Sequence, residues 1–347
     1  MDRQVTALRF RPQRFDELVG QETVVRTLKG ALARGRIAPG YLFSGPRGVG
    51  KTTTARLLAK GLNCERLEGG EPCGTCTPCR EVAEGRFVDV IEIDGASNTG
   101  VDNIRDLREQ AAYLPAAGRT KVYVIDEVHM LSKGAFNALL KTLEEPPPHV
   151  VFIFATTELH KVPATIVSRC QRFEFRRIRE AEIVAQLARV AEHDGIAVEE
   201  AALWEIAVAA EGSLRDAESL FDQVVAFGEV TAATVQEVLG LVDRGVLSEA
   251  VRRIAARDRA GLLALVDEVV AAGHALDLFV RGLAEQLRHL LVLRLAGAAA
   301  AELVPLAEGQ RQALLEAGAG LAEDQIERAL GRLVATAGEL RASPFPR

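Results

Sequence analysis

Apolar residues are distributed in two regimes along this chain. Between positions 40 and 175 they form short continuous runs: Tyr41-Leu42-Phe43, Val88 to Ile93, Val122-Tyr123-Val124-Ile125, Val150 to Ala155 and the shorter Arg172 to Phe175. Runs of this length read as strands, and unbroken apolar character marks strands covered on both faces. Segments with helical spacing separate them, among them Val101 to Tyr113 and Ala135 to Glu145. Strands alternating with helices predict a parallel α/β sheet. From Glu180 onward the strand signals stop. Residues 180–242 carry three short amphipathic patterns, such as Ala181, Val184, Leu187 and Ala188 with Ala191 beyond, punctuated by Gly195, Gly212 and Gly228. Residues 247–340 read as longer helices, and no internal repeat is visible.

The chain has 347 residues, which suggests two or three domains at ~100–200 residues each. Its net charge of −6 excludes a surface that is basic throughout. Any contact with nucleic acid must come from local basic clusters or backbone amides. No apolar segment follows the charged start Met1-Asp2-Arg3-Gln4, which argues against a secretory signal. The alanine-rich run from Leu295 to Val304 is too short for a membrane span and contains Glu302. A cytoplasmic protein without membrane contact is expected. The ending Ser343-Pro344-Phe345-Pro346-Arg347 is abrupt after a helical stretch, so truncation of the last domain is left open.

Gly45-Pro46-Arg47-Gly48-Val49-Gly50-Lys51-Thr52 lies between the first strand and a helix-compatible stretch, and matches the phosphate-loop pattern in full. Its glycines let backbone N–H groups converge on phosphate oxygens, and the following helix points its positive end at the same anion. Lys51 supplies a point charge to the β and γ phosphates, and Thr52 offers a hydroxyl to Mg²⁺. ATP and Mg²⁺ are therefore the expected ligands, contacted by Gly45 through Thr52 and by Thr53. The alternative is a glycine-rich turn with a chance lysine, which the strand–loop–helix context disfavours.

The strand Val122 to Ile125 runs into Asp126-Glu127. A carboxylate at the C-terminal edge of a parallel strand sits where such sheets bind ligands. Asp126 is placed to organise Mg²⁺ and Glu127 to polarise an attacking water. His129 is read as structural, because phosphoryl transfer relies on positioning and electrostatics. Cys64, Cys73, Cys76 and Cys79 follow the spacing C-x8-C-x2-C-x2-C. Four thiolates complete a closed tetrahedral Zn²⁺ shell, which is structural rather than catalytic. Iron–sulfur ligation remains a rival, since C-x2-C-x2-C also occurs in ferredoxins, and a disulfide pair remains a second.

These residues are similar to those of a known family. Arg11-Pro12-Gln13 with Val19-Gly20-Gln21-Glu22 resembles the N-terminal adenine-side motif of AAA+ clamp loaders. Asp126-Glu127-Val128-His129-Met130 resembles their Walker B box, Ser168-Arg169-Cys170 their Ser-Arg-Cys motif, and Gly212-Ser213-Leu214-Arg215-Asp216-Ala217 their sensor 2 segment. With the four-cysteine insertion, the combination resembles the bacterial gamma/tau family of DNA polymerase III subunits over almost all of residues 1–240, and more weakly beyond about 243.

The resemblance implies an AAA+ nucleotide-binding domain over 1–178 with a zinc insertion at 62–82, a helical lid over 179–242 and a helical collar for oligomerisation over 243–347. Arg11 and Val19 would contact the nucleotide. Thr156 would be sensor 1, with Thr157 as an open alternative, and Arg215 would reach the phosphates from the lid. Arg169 would act in trans on the neighbouring subunit's ATP. In the family, Ser97-Asn98-Thr99-Gly100 is a place of backbone contact with DNA; here Asn98 and Gly100 carry no charge, and Arg105 and Lys133 are the nearby basic candidates. The implied function is an ATPase that loads a sliding clamp onto primer–template DNA with other subunits: delta, delta-prime and further gamma/tau copies. The alternatives are another AAA+ DNA-processing ATPase, such as a branch-migration helicase or replication initiator, and a non-hydrolysing clamp-loader scaffold.

Overall fold

The computed structural model describes residues 5–97, 100–240, 242–297, 303, 304, 306 and 308–342. The chain divides into two compact units, Met1–Glu229 and Val230–Arg347.

The first unit holds a five-stranded parallel sheet of β1 (Gly40–Ser44), β2 (Val90–Asp94), β3 (Lys121–Asp126), β4 (Val150–Thr156) and β5 (Gln171–Glu174), in the order β2-β3-β4-β1-β5. All five predicted strands are present, with ends shifted by a residue or two. Val88 is exposed and lies outside β2. Every residue of β1 and β4 is buried, as expected of central strands covered on both faces.

Alternation sorts their side chains into two cores. Tyr41, Phe43, Val122, Val124, Val151 and Ile153 face one side, where Leu28 of α2 (Glu22–Ala33) and Leu57 and Leu58 of α3 (Lys51–Asn63) cover them. Leu42, Tyr123, Ile125, Phe152 and Phe154 face the other, against α5 (Val101–Ala111) and α6 (Lys133–Glu144). Each such fully buried aromatic or aliphatic side chain contributes about 1.5–3 kcal/mol of transfer free energy. Helix α6 starts two residues before the predicted Ala135 because Ser132 caps it, its Oγ accepting from the Ala135 N–H.

A short helix α1 (Thr6–Arg9) precedes the sheet, and α4 (Thr77–Ala83) closes the cysteine-bearing insertion. After the residues 164–167 of α7 come α8 (Glu180–Asp194), α9 (Glu200–Ala209) and α10 (Leu214–Phe227), which pack on one another and account for the three amphipathic patterns. Helix α1 packs on α10.

The second unit is helical: α11 (Ala232–Leu239), α12 (Arg244–Ala255), α13 (Arg259–Ala271), α14 (Leu276–Ala296), α15 (Glu308–Ala317) and α16 (Glu323–Ala342). Phe279, Leu283, Leu287 and Leu290 recur at helical spacing along α14 and form the spine of its core, with Val251, Leu265 and Ile326 packed around them. The expected boundary after 242 differs from the observed division at 229/230. The reason is packing: Val242 is buried in the helical core of the second unit, and α11 falls within that unit. No helix among the described residues is long and apolar enough to cross a membrane.

The Tyr123 side chain is fully buried, yet its hydroxyl has no partner among the described residues. Burial, with Asp89 adding to it, pushes its ionisation up to about 12. An unpartnered buried hydroxyl costs about 1–3 kcal/mol. Tyr123→Phe should therefore leave stability unchanged or raise it by about 1 kcal/mol in urea unfolding; a loss of more than about 1 kcal/mol would show that the hydroxyl is satisfied in solution.

Candidate active site and metal centre

The loop after β1 turns on glycine. Gly48 sits at φ +73°, and a Cβ there would lie 1.9 Å from the Ser213 Oγ. Gly50 sits at φ +97° and leads directly into α3 at Lys51. These left-handed positions are open to glycine at little cost. They let the loop wrap back so that Lys51, only 6% exposed, donates to the carbonyls of Gly45 (2.8 Å) and Pro46 (2.6 Å). Burial lowers the Lys51 ammonium, and the charges of Glu127 and Asp126 oppose that shift. The Thr52 hydroxyl donates to Asp126 Oδ2 at 2.6 Å, while Asp126 Oδ1 accepts from the Glu127 N–H at 2.9 Å. The two groups expected to share Mg²⁺ are thus in direct contact.

Glu127 is left-handed at φ 45°, a strained conformation for a residue with a Cβ. Its Oε2 accepts from the Thr157 hydroxyl at 3.0 Å and the Thr157 N–H at 3.3 Å. Thr156 is fully buried. Its Oγ1 accepts from the Glu158 N–H at 3.0 Å and lies 3.1 Å from His129 Nδ1. Of the two candidate threonines, the one whose hydroxyl meets Glu127 is therefore Thr157. His129 is held on both nitrogens, with Nε2 3.2 Å from Glu158 Oε1, which fits a structural brace at the strand edge.

A cleft of about 930 Å³ opens around this loop. It is lined by Arg11, Pro12, Leu18 and Val19 of the N-terminal segment, by the segment from Arg47 to Thr53, by Asp126 and Glu127 at the strand edge, and by Leu214, Arg215, Glu218, Ser219 and Asp222 of α10. Gln21 fastens the N-terminal motif here. Its amide donates to the Arg176 carbonyl at 2.8 Å and its Oε1 accepts from the Arg176 N–H at 3.3 Å. Arg11, Val19, Arg47 through Thr53, Asp126, Glu127 and Arg215 all line this one cleft. Gly45 and Pro46 contribute through their carbonyls.

Leu18, Leu214, Glu218 and Asp222 were missed. A sequence signal for the last two exists in the helical period running on from Arg215 through 218 and 222. Thr156 and Arg169 do not line the cleft. Arg169 follows α7, where Nη2 donates to Glu144 Oε1 at 2.6 Å and Nη1 to the Thr165 carbonyl at 2.7 Å, and the pair is partly exposed. Arg105 and Lys133 are exposed. Asn98 and Thr99 lie outside the described residues.

The cysteines form a separate centre. The Sγ atoms of Cys64, Cys73, Cys76 and Cys79 all lie within 4.8 Å of one another, and none is in a disulfide. A tetrahedral Zn²⁺ with Zn–S near 2.3 Å needs sulfurs about 3.8 Å apart, so small adjustments complete the shell. An iron–sulfur cubane would hold its cysteines farther apart. The Cys73 and Cys76 N–H groups donate to Cys64 Sγ and Cys73 Sγ, each at 3.3 Å. Such bonds stabilise thiolates. Lys60, 2% exposed, adds a positive charge: burial lowers its ammonium, and Cys79 is the first of the charges that raise it. Glu71, at the base of the insertion, accepts from the Phe15 N–H at 2.6 Å and pairs with Lys29 at 2.9 Å.

Three family descriptions match in succession: "DNA polymerase III, delta subunit" over residues 20–179, "DNA polymerase III clamp loader subunit, ATPase lid domain" over 182–230, and "DNA polymerase III subunits gamma and tau domain III" over 230–347. The chain is 55% identical to DNA polymerase III subunit tau of Bacillus subtilis over 218 residues, covering 63% of this chain and 39% of that one. It is 51% identical to the Escherichia coli tau subunit over 275 residues, covering 79% and 43%. Against the gamma/tau subunit of Mycobacterium tuberculosis the figures are 40% over 345 residues, 98% and 60%. The chain thus spans from 39% to 60% of the length of these relatives. Among solved structures, the Thermotoga maritima RuvB Holliday junction branch migration motor shares the fold, with a TM-score of 0.52 at 21% identity over 78% of this chain and 90% of that one.

Two outcomes follow from the geometry. Lys51→Ala removes the only ammonium seated in the loop among the described residues. Nucleotide affinity should fall at least about ten-fold, as expected for a lost hydrogen bond to a charged group, with the circular dichroism spectrum unchanged. Unchanged affinity in a titration would remove Lys51 from the site. Purified protein should also carry one Zn²⁺ per chain by elemental analysis. Since structural zinc is worth ~10–16 kcal/mol in zinc-finger peptides, a strong chelator should unfold the insertion around 62–82. Iron and sulfide in place of zinc would overturn the assignment.

Proposed function

Because the chain belongs to the gamma/tau subunit family of DNA polymerase III, we propose that it is an ATP-hydrolysing subunit of a clamp loader. In this reading ATP binding and hydrolysis drive the loading of a sliding clamp onto primer–template DNA, in a complex with delta, delta-prime and further gamma/tau copies. The observation that carries it is the contact between the Thr52 hydroxyl and Asp126 at 2.6 Å beside a buried Lys51, a complete phosphate and metal apparatus on a chain of this family. A non-hydrolysing scaffold would have no use for the strained Glu127 at the same edge.

The chemistry follows from the residues. Backbone N–H groups of the loop cradle the phosphates, and Lys51 gives up its two carbonyl partners to reach the β and γ oxygens. Thr52 and Asp126 would hold Mg²⁺, which neutralises charge developing on the γ-phosphoryl group. Glu127 orients the attacking water, and Thr157, whose hydroxyl already meets Glu127, is the better-placed sensor 1. Arg215 reaches in from α10. Arg169 does not line its own chain's cleft, and that supports a role on the neighbouring subunit's ATP. The four-cysteine centre is proposed to hold Zn²⁺ as a closed structural site.

The test is the ATPase rate of the reconstituted complex with and without primed DNA and the clamp. Stimulation by both together is expected, and a rate indifferent to both would remove clamp loading from the reading. Arg169→Ala should leave ATP affinity of the isolated chain nearly intact. In the assembled complex it should lower stimulated hydrolysis by ~10³-fold or more, the range seen for arginine fingers in other NTPases. Mixed assemblies should place the damage in the wild-type site beside the altered subunit. Damage confined to the altered subunit's own site would make Arg169 a cis residue.

A further inference from the structure

Helix α10 carries two carboxylates into the nucleotide cleft, one turn apart, and only one of them is occupied. Asp222 is engaged: it accepts from the Thr6 N–H at 2.8 Å and from the Thr6 hydroxyl. Glu218 is 5% exposed, lines the same cleft, and has no hydrogen-bond donor or ion-pair partner among the described residues. Burial, reinforced by the charge of Asp222, pushes its carboxyl up to about 7. A buried carboxyl left without a donor is costly, and such groups in native proteins ordinarily find a partner. Here the group faces a cleft of about 930 Å³, so the missing partner is looked for in a ligand.

Helix geometry says which part of the ligand. The start of α10 rests on the phosphate loop, where the Arg215 N–H donates to the Gly48 carbonyl at 3.4 Å. At about 1.5 Å per residue, Glu218 lies roughly 4.5 Å farther along the axis than Arg215, and about 60° around it. Moving along α10 from the phosphate end therefore leads to Glu218 at the nucleoside end. Pro12, Leu18 and Val19 line the same cleft and offer apolar surface for the flat faces of a base.

We propose that Glu218 reads the edge of the nucleotide base, accepting a hydrogen bond from the exocyclic amine of adenine and so selecting an amino-purine over a keto-purine. Adenine presents an N6 amine donor beside a ring-nitrogen acceptor. An ionised carboxylate accepts from the amine, and a protonated carboxyl also donates to the ring nitrogen. Hypoxanthine and guanine place an acceptor oxygen where adenine has its amine, and an ionised Glu218 repels it. The inference rests on the reading of this cleft as the ATP site and names the residue that sets its base preference.

The experiment compares ADP with IDP, which differ at this edge alone, in binding titrations with the full chain and Mg²⁺. The intact protein should prefer ADP by about ten-fold or more, the worth of a hydrogen bond to a charged group. Glu218→Leu should bring the two affinities to within about two-fold, while Glu218→Gln, whose amide offers the acceptor–donor pair that adenine matches, should keep the ADP preference. Glu218→Ala serves as a second deletion should the leucine variant fail to fold. An unchanged ADP preference in either deletion variant overturns the proposal while leaving the ATP-site reading intact. Failure of the intact protein to bind either diphosphate would instead sink that reading.

Discussion

The candidate site of this protein depends on three parallel strands ending level. β4 pairs with β1 on one side, Ser44 opposite Thr156, and with β3 on the other, Ile125 opposite Phe154. That register brings the phosphate loop after β1, the carboxylates at the end of β3 and the threonines at the end of β4 to one edge. A slip of one residue in any pair would turn every side chain of that strand to the other face. The register is in turn enforced by packing, because both faces of β1 and β4 are buried against helices.

Strain and polar bracing at that edge go together. Glu127 is held in a left-handed conformation, and its carboxylate is tied to Thr157. Such a conformation persists only where the surroundings over-determine it. Here the surroundings are His129, held between Thr156 and Glu158, and Gly95, where a Cβ would come within 2.6 Å of the Glu127 carbonyl. Glu127 is therefore pre-positioned by the groups around it.

The cysteine module is linked to the same site through the N-terminal segment. Glu71, at the base of the insertion, grips the Phe15 backbone, and Lys60 beside the cysteines donates to Gln13. Between those anchors and the Gln21–Arg176 contacts runs the stretch carrying Leu18 and Val19, which walls the cleft. The insertion and the cleft wall are thus joined through one short stretch of chain, although no cysteine lines the cleft.

What the chain determines by itself is local chemistry. The phosphate loop was legible because Gly48 and Gly50 need backbone angles that few other residues adopt, and the cysteine set because C-x2-C spacing already forces two sulfurs together. The sheet was legible because strands buried on both faces must be apolar without interruption. Tertiary structure alone decided the rest. Neighbouring residues at a strand end diverge, so whether Thr156 or Thr157 meets Glu127 depends on how the chain leaves β4. Glu218 reads as an ordinary helix carboxylate until α10 folds over the loop at Gly48 and buries it. The division at 229/230 places Val242 in the core of the second unit, and nothing in its own sequence context marks it as belonging there. In each case the deciding partner lies far away in sequence, where periodicity and spacing carry no information.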